Sequence, residues 1–177
     1  MSIYYFAYGS NMSPPQMARR CPGARNSGAG VLENWRLIIT VRGTANIVTA
    51  PNTRVHGVLW RFENHHIGQM DNWEGVARRV YRRAWLPVKM QDGTSVLALT
   101  YICNYRWPGI ARASYVITAM LPGARAAGLP DHYIDEIRGW LHHRPLAAAC
   151  LYNGRRTPKP AARTPQNPTS VSKHLRR

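Results

Sequence analysis

Acidic residues are scarce in this sequence: 8 Asp and Glu stand against 24 Lys and Arg in 177 residues, a formal charge of +16. Cysteine is scarce too. Cys21, Cys103 and Cys150 are odd in number, far apart and without a CxxC pair, which excludes a disulfide framework or zinc ribbon and leaves them as reduced, small hydrophobic residues. No stretch approaches 18 consecutive apolar residues, and the opening MSIYYFAYGS has no basic segment ahead of an apolar one. Neither a membrane span nor a signal peptide is expected, and the reading is a soluble cytoplasmic protein. Walker, Rossmann, Gly-x-Ser-x-Gly and Ser-His-Asp patterns are absent as well. His65-His66 and His142-His143 are neighbours, which point about 100° apart on a helix instead of forming the i, i+4 pair of a metal-binding helix, so no metal site is expected.

What remains is ordinary globular composition, 45% hydrophobic and 18% charged, enough for a packed core in one domain. Part of the charge is segregated. Residues 153–177 hold seven basic residues, no acid, four prolines and no aromatic, which reads as a disordered, solvated tail. The body, residues 1–152, keeps a charge of +9. It carries no helix-turn-helix, zinc-finger or RNP-like pattern, so nucleic acid is not an expected partner beyond what a basic tail attracts by counterion release. The oligomeric state is not legible.

Along the body, Ile3 to Ala7 reads as a buried strand that stops at Tyr8-Gly9-Ser10-Asn11. Ser13-Pro14-Pro15-Gln16 follows, with an N-cap serine, a proline at the first helical position and a glutamine at the third, predicting a helix over 14–20. Residues 31–41, 44–50 and 55–63 read as three strands, with Val58, Trp60 and Phe62 alternating onto one face. At 64–73 the spacing becomes helical: Ile67, Met70 and Glu74 share a face, and Gly75 ends the helix. Residues 81–90 and 94–103 form a predicted hairpin around Gln91-Asp92-Gly93. Helices are predicted over 111–121 and 131–143. About six strands with three or four helices favour α+β, with a mixed, largely antiparallel, curved or barrel-like sheet and flanking helices.

Two places carry candidate chemistry. The loop Tyr8 to Met12 leaves N–H groups free between a strand and a helix start, a place suited to anions. Gly9 permits close approach to the backbone, and Ser10 and Asn11 add short side-chain donors. A plain strand-to-helix turn is the other reading. Glu74 stands on an apolar face at its helix's C-terminal end, so burial and the helix dipole both raise its pKa towards the range where a carboxylate is an efficient base. An exposed helix-end glutamate is the alternative there, and Asp71 reads as a solvated helix acid. Arg78, Arg79, Arg82 and Arg83 around Tyr81 read as a solvated rim that would steer anions, and the six tryptophans as core.

Tyr5-Phe6-Ala7-Tyr8-Gly9-Ser10-Asn11-Met12 resembles the opening signature of the γ-glutamylcyclotransferase family. Met70-Asp71-Asn72-Trp73-Glu74-Gly75-Val76, followed by Tyr81, resembles its second motif, and Gly128-Leu129-Pro130 with Tyr133 a third. The resemblance implies a small α+β fold around a barrel-like sheet, with a pocket between the first loop and Glu74. It also implies a cofactor-free and metal-free reaction. The α-amine of a γ-glutamyl substrate attacks its own γ-carbonyl and releases 5-oxoproline. By the same resemblance Glu74 is the acid/base, Tyr8, Gly9, Ser10 and Asn11 the γ-glutamyl clamp, and Tyr81 and Tyr115 pocket tyrosines. Three departures stand out. Arg79 replaces a glycine frequent in the family, Trp73 precedes the glutamate, and Asn11 stands where glutathione-specific relatives have leucine. A non-catalytic module of the same fold binding an anionic metabolite, aided by the basic tail, is the competing reading.

Overall fold

The computed structural model describes residues 3–143; the expected tail at 153–177 and Cys150 lie outside the described residues. Five strands close a barrel in the order β1-β3-β2-β4-β5. They are β1 (Ile3–Ala7), β2 (Arg25–Ile39), β3 (Ala45–Phe62), β4 (Tyr81–Met90) and β5 (Ser95–Cys103). Pairing is antiparallel throughout except between β1 and β5, which run parallel. The sheet is therefore mixed and mainly antiparallel, as the residue pattern predicts.

Two of the predicted strands, 44–50 and 55–63, are one. Pro51 and Asn52 read as a break because proline cannot donate to a ladder. The chain instead absorbs them in a bulge: Glu33 pairs with Arg54 and Trp35 with Thr49, so residues 50–53 stand against Asn34 alone. Asn34 and Asn52 both take left-handed backbone (φ 63° and 61°), and the Asn34 side-chain oxygen accepts the Asn52 N–H at 3.1 Å. Bulges of this kind raise local twist and help a short sheet to curl. Closure also needs close approach. A Cβ on Gly57 would lie 2.3 Å from the Ala7 carbonyl oxygen, so β1 and β3 can pack at this spacing only with glycine there.

Val58, Trp60 and Phe62 are buried, and so is the intervening Leu59, because β3 is covered on both faces. The tryptophan expectation fails: Trp60 is buried, but Trp73, Trp85 and Trp107 are largely exposed. Periodicity shows where a ring stands on its element, not whether another element covers it.

The helices are α1 (Pro14–Arg20), α2 (Asn64–Glu74), α3 (Ala113–Tyr115), α4 (Leu121–Ala126) and α5 (Asp131–Gly139). A π-helical turn, Val116–Met120, joins α3 to α4 without a break. The helix predicted to stop at 121 thus runs on through Pro122. Leu121 reaches back to the Val116 carbonyl, and such a widened turn suits a following proline that lacks an N–H and crowds the carbonyl four residues earlier. Gly123 then presses on the first loop, where a Cβ would meet the Ser13 nitrogen at 2.6 Å. The helix predicted to reach 143 closes at Gly139. The stretch 140–143 is held by turn bonds such as Leu141 N–H to the Arg138 carbonyl.

Arg79 keeps the turn that a glycine would make. Its φ is 56°, its side chain is exposed, and its carbonyl accepts a bond from Asn104 at 2.6 Å. A left-handed non-glycine residue costs roughly 1–2 kcal/mol, against about 0.5–1 kcal/mol for the entropy glycine loses on folding. Arg79→Gly is expected to raise stability by about 0.5–1 kcal/mol and Arg79→Val to lower it, both read from urea melts.

Candidate active site

β1 ends at the open end of the barrel and releases the chain into a 3-10 turn, Ser10–Met12, before α1. The last residue of α2 arrives at the same place. Gly75, with φ 65°, caps α2 in the left-handed conformation, so the helix stops at Glu74 and its side chain turns inward. Between the two is a cavity of ≈ 160 Å³. Tyr8, Gly9, Ser10, Asn11, Glu74, Tyr81 and Tyr115 all line it. A wider groove of ≈ 840 Å³ between Gly23 and His65 contains none of these.

Glu74 is the pocket's carboxylate, its side chain 14% exposed. Burial raises its pKa; the Arg20 guanidinium and the Asn11 amide pull the other way without cancelling the rise. Asn11 Nδ2 donates to Glu74 Oε1 at 3.0 Å and to the Tyr5 hydroxyl at 2.8 Å. Arg20 lies 3.9 Å from the same Oε1. Asp71 is not a free surface acid. It pairs with Arg83 and accepts the Tyr101 hydroxyl at 2.8 Å, and the Arg83 hydrogen bonds hold its pKa below the usual carboxylate range. The arginine rim is therefore partly committed, since Arg83 anchors the pocket wall through Asp71 and Tyr101.

The loop departs from its expected detail. Its N–H groups are not all free: Met12 donates to the Gly9 carbonyl, Ser13 to the Ser10 carbonyl, and Ser10 to the Tyr115 hydroxyl at 3.2 Å, which leaves Gly9 and Asn11 to meet a ligand. Ser13 does not cap α1 with its side chain, and Gln16 reaches back to Asn11 Oδ1 instead, at 3.2 Å. Asn11 points its amide at Glu74, not outward. Gly9 makes room for a protein group, as a Cβ there would lie 2.8 Å from the Tyr115 hydroxyl.

The tyrosines are oriented by backbone. The Tyr8 hydroxyl donates to the Tyr101 carbonyl. Tyr81 donates to the Ala45 carbonyl at 2.8 Å. The Tyr115 hydroxyl accepts the N–H groups of Ser10 and Ala45, at 3.2 and 3.4 Å, so its own proton is free to be donated to a ligand in the cavity it lines. Burial pushes all three phenols above their ordinary pKa, which keeps them neutral donors at pH 7.

Arg20, Tyr5, Tyr101, Thr44 and Trp73 also line the pocket. Tyr5 stands inside the first motif, two residues before Ala7 on the same face of β1, so alternation was the available signal. Tyr101 and Thr44 come from elements distant in sequence, and no local pattern marks them. The third motif packs elsewhere: Leu129 and Tyr133 are buried in the core, with Tyr133 against His56. Among the described residues no group of three or more His, Cys, Asp or Glu is placed to hold a metal ion, and no helix is long and apolar enough to cross a membrane.

The small mixed barrel with its flanking helices matches solved structures of the γ-glutamylcyclotransferase-like fold. The AIG2-like family model matches residues 54–137. The chain is 28% identical over 148 residues to a mouse protein named gamma-glutamylcyclotransferase, covering 77% of this chain and 78% of that one. It is 27% identical to the human protein of the same name, with the same coverage. A solved gamma-glutamyl cyclotransferase superimposes with a TM-score of 0.74 at 24% identity, over 78% of this chain and 87% of that one. The chain thus resembles γ-glutamylcyclotransferases in sequence and shares their fold.

Gly9 supplies a test of the loop. In Gly9→Ala the new methyl must displace the Tyr115 hydroxyl and so release the N–H groups of Ser10 and Ala45. A loss of roughly 1–3 kcal/mol is expected, read from denaturant unfolding. Gly9→Ala together with Tyr115→Phe should lose less than the two single changes summed, because both disrupt one contact.

Proposed function

We propose that the protein is a cyclotransferase that releases 5-oxoproline from a γ-glutamyl amine or γ-glutamyl amino acid, with Glu74 as the general acid and base. One observation carries this reading: a single carboxylate, sheltered from water, faces the first glycine loop across a cavity lined by neutral phenols. The names of the mouse and human relatives support it.

The chemistry follows from the geometry. A substrate α-ammonium cannot attack until it gives up a proton, and a carboxylate of raised pKa is well matched to take it. The freed amine forms a bond to the γ-carbonyl carbon of the same molecule, and the carbonyl oxygen becomes an oxyanion. The N–H groups of Gly9 and Asn11 and the Tyr115 O–H are the donors available to that oxygen and to the substrate α-carboxylate. Collapse breaks the bond from the γ-carbon to the departing nitrogen, which receives the proton from Glu74, while the ring nitrogen sheds its second proton to solvent. Nucleophile and electrophile share one molecule, so the reaction needs no cofactor or metal. The pocket's task is to fold the chain into a five-membered ring geometry and exclude others. The clamp role belongs to Tyr8 through Asn11, with Tyr81 and Tyr115 as tyrosines of the same pocket.

A panel of γ-glutamyl compounds assayed for 5-oxoproline tests the proposal. Turnover of at least one is expected, and none at all would favour the non-catalytic module. Glu74→Gln should lower kcat by about 10²–10⁴-fold; full rate in that variant would remove Glu74 from the mechanism.

The same residue fixes a pH dependence. Because folding raises its pKa, the native state holds this proton more tightly than the unfolded chain. The associated stability is present below the unfolded value, about 4.3, and is lost as pH rises from there through the folded value. Glu74→Gln is therefore expected to melt no lower than wild type at pH 7, while the kcat/KM of the native enzyme falls on the acid side with an inflection above that of an ordinary glutamate.

A further inference from the structure

We propose that Arg20 is a positioning residue for the reaction: acting through Asn11, it orients the Glu74 carboxylate and keeps it competent as a base. This rests on the cyclotransferase reading of the site. Arg20 ends α1, and its side chain is 20% exposed. Its NH1 group donates to Asn11 Oδ1 at 2.7 Å, and Gln16 donates to the same oxygen at 3.2 Å. The Arg20 guanidinium also stands 5.0 Å over the Trp73 ring, which fixes its plane from outside.

The argument is one of donors and acceptors. A guanidinium can only donate, whereas a side-chain amide has one accepting and one donating end. With Arg20 on one side, Asn11 must turn its oxygen towards it and its NH2 towards Glu74 and Tyr5. The reverse orientation would set donor against donor at Arg20 and oxygen against carboxylate at Glu74. Arg20 thereby decides which end of Asn11 the base meets. Asn11 and Arg20 both address Oε1, so the lone pairs of Oε2 are left for the substrate proton.

Charge adds a second effect. A cation 3.9 Å from the carboxylate opposes the cost of burial, and an opposite charge at this range shifts a carboxylate by roughly 1–3 pH units. The other titratable groups facing Glu74 are phenols: Tyr5 from β1, Tyr8 from the loop, Tyr81 from β4, Tyr101 from β5 and Tyr115 from α3. Burial raises the pKa of each, so they stay neutral and leave Arg20 as the charged group beside the carboxylate in the pocket lining. Asp71, one turn back on α2, is committed to Arg83 and Tyr101.

The test compares Arg20→Met, Arg20→Lys and Gln16→Ala by pH–rate profiles, with thermal melts to verify folding. For Arg20→Met the acid limb of kcat/KM should move up by about one pH unit or more. At pH values below that limb the rate should fall about tenfold or more and recover at alkaline pH, with KM little changed. Arg20→Lys, which keeps the charge but not the fork, should retain the wild-type limb at a lower plateau. Gln16→Ala should move the limb less than Arg20→Met. A uniform loss at every pH, or a change confined to KM, overturns the proposal, the latter because it would make Arg20 a direct substrate ligand. A second readout needs no turnover: carboxyl-carbon NMR of Glu74 should titrate higher in Arg20→Met than in wild type. An unchanged titration defeats the Arg20 inference, whereas absence of turnover in wild type with that shift present defeats only the cyclotransferase reading.

Discussion

The barrel exists because β1, five residues long, pairs along both of its edges. Antiparallel to β3 and parallel to β5, it closes the sheet and removes the exposed edges that would otherwise invite association. Gly57 lets its end come within contact of β3. Closure also fixes where the chain leaves the strand. Tyr8 and the 3-10 turn emerge at the barrel mouth with no freedom to be elsewhere, and the base of the pocket is thus set by strand pairing.

The opposite wall has a different origin. α2 lies against the barrel through His66 and Met70, both buried, and its end is dictated by Gly75. The capping geometry there is reciprocal at the start, where Glu63 and His66 exchange side-chain and backbone bonds, and left-handed at the finish. A helix held at both ends presents its final residue at a defined height above the barrel. For Glu74 that height is the level of Asn11, and the sheltered hydrogen bond between them is affordable because both side-chain polar atoms of Asn11 have partners.

Charge distribution gives the site its character. The protein is strongly basic, yet within the cavity one carboxylate and one guanidinium face each other and the remaining titratable lining groups are phenols kept neutral by burial. Net charge thus says little about the chemistry inside. The arginines beyond the rim are divided between structure and solvent: Arg83 is bound to Asp71, and Arg79 serves a turn with its backbone while its side chain stays exposed.

Much of this was readable from residue order. The strand-loop-helix opening, the helix ended by Gly75 and the hairpin over Gln91-Asp92-Gly93 follow local rules of periodicity and turn chemistry, and all three stand in the structure near their expected bounds. Glu74 could be singled out because its helical spacing with Ile67 and Met70 predicts a covered face. Other features depend on what meets what. That 44–50 and 55–63 are one strand, that Trp73 lies open while Trp60 is enclosed, and that Tyr101 and Arg20 reach the pocket are consequences of packing between segments far apart in the chain. Local sequence specifies the conformation of a segment and the side it prefers to hide. Which partner hides it, and which donors surround a buried acid, is decided only when the barrel closes, because those contacts exist in no segment alone.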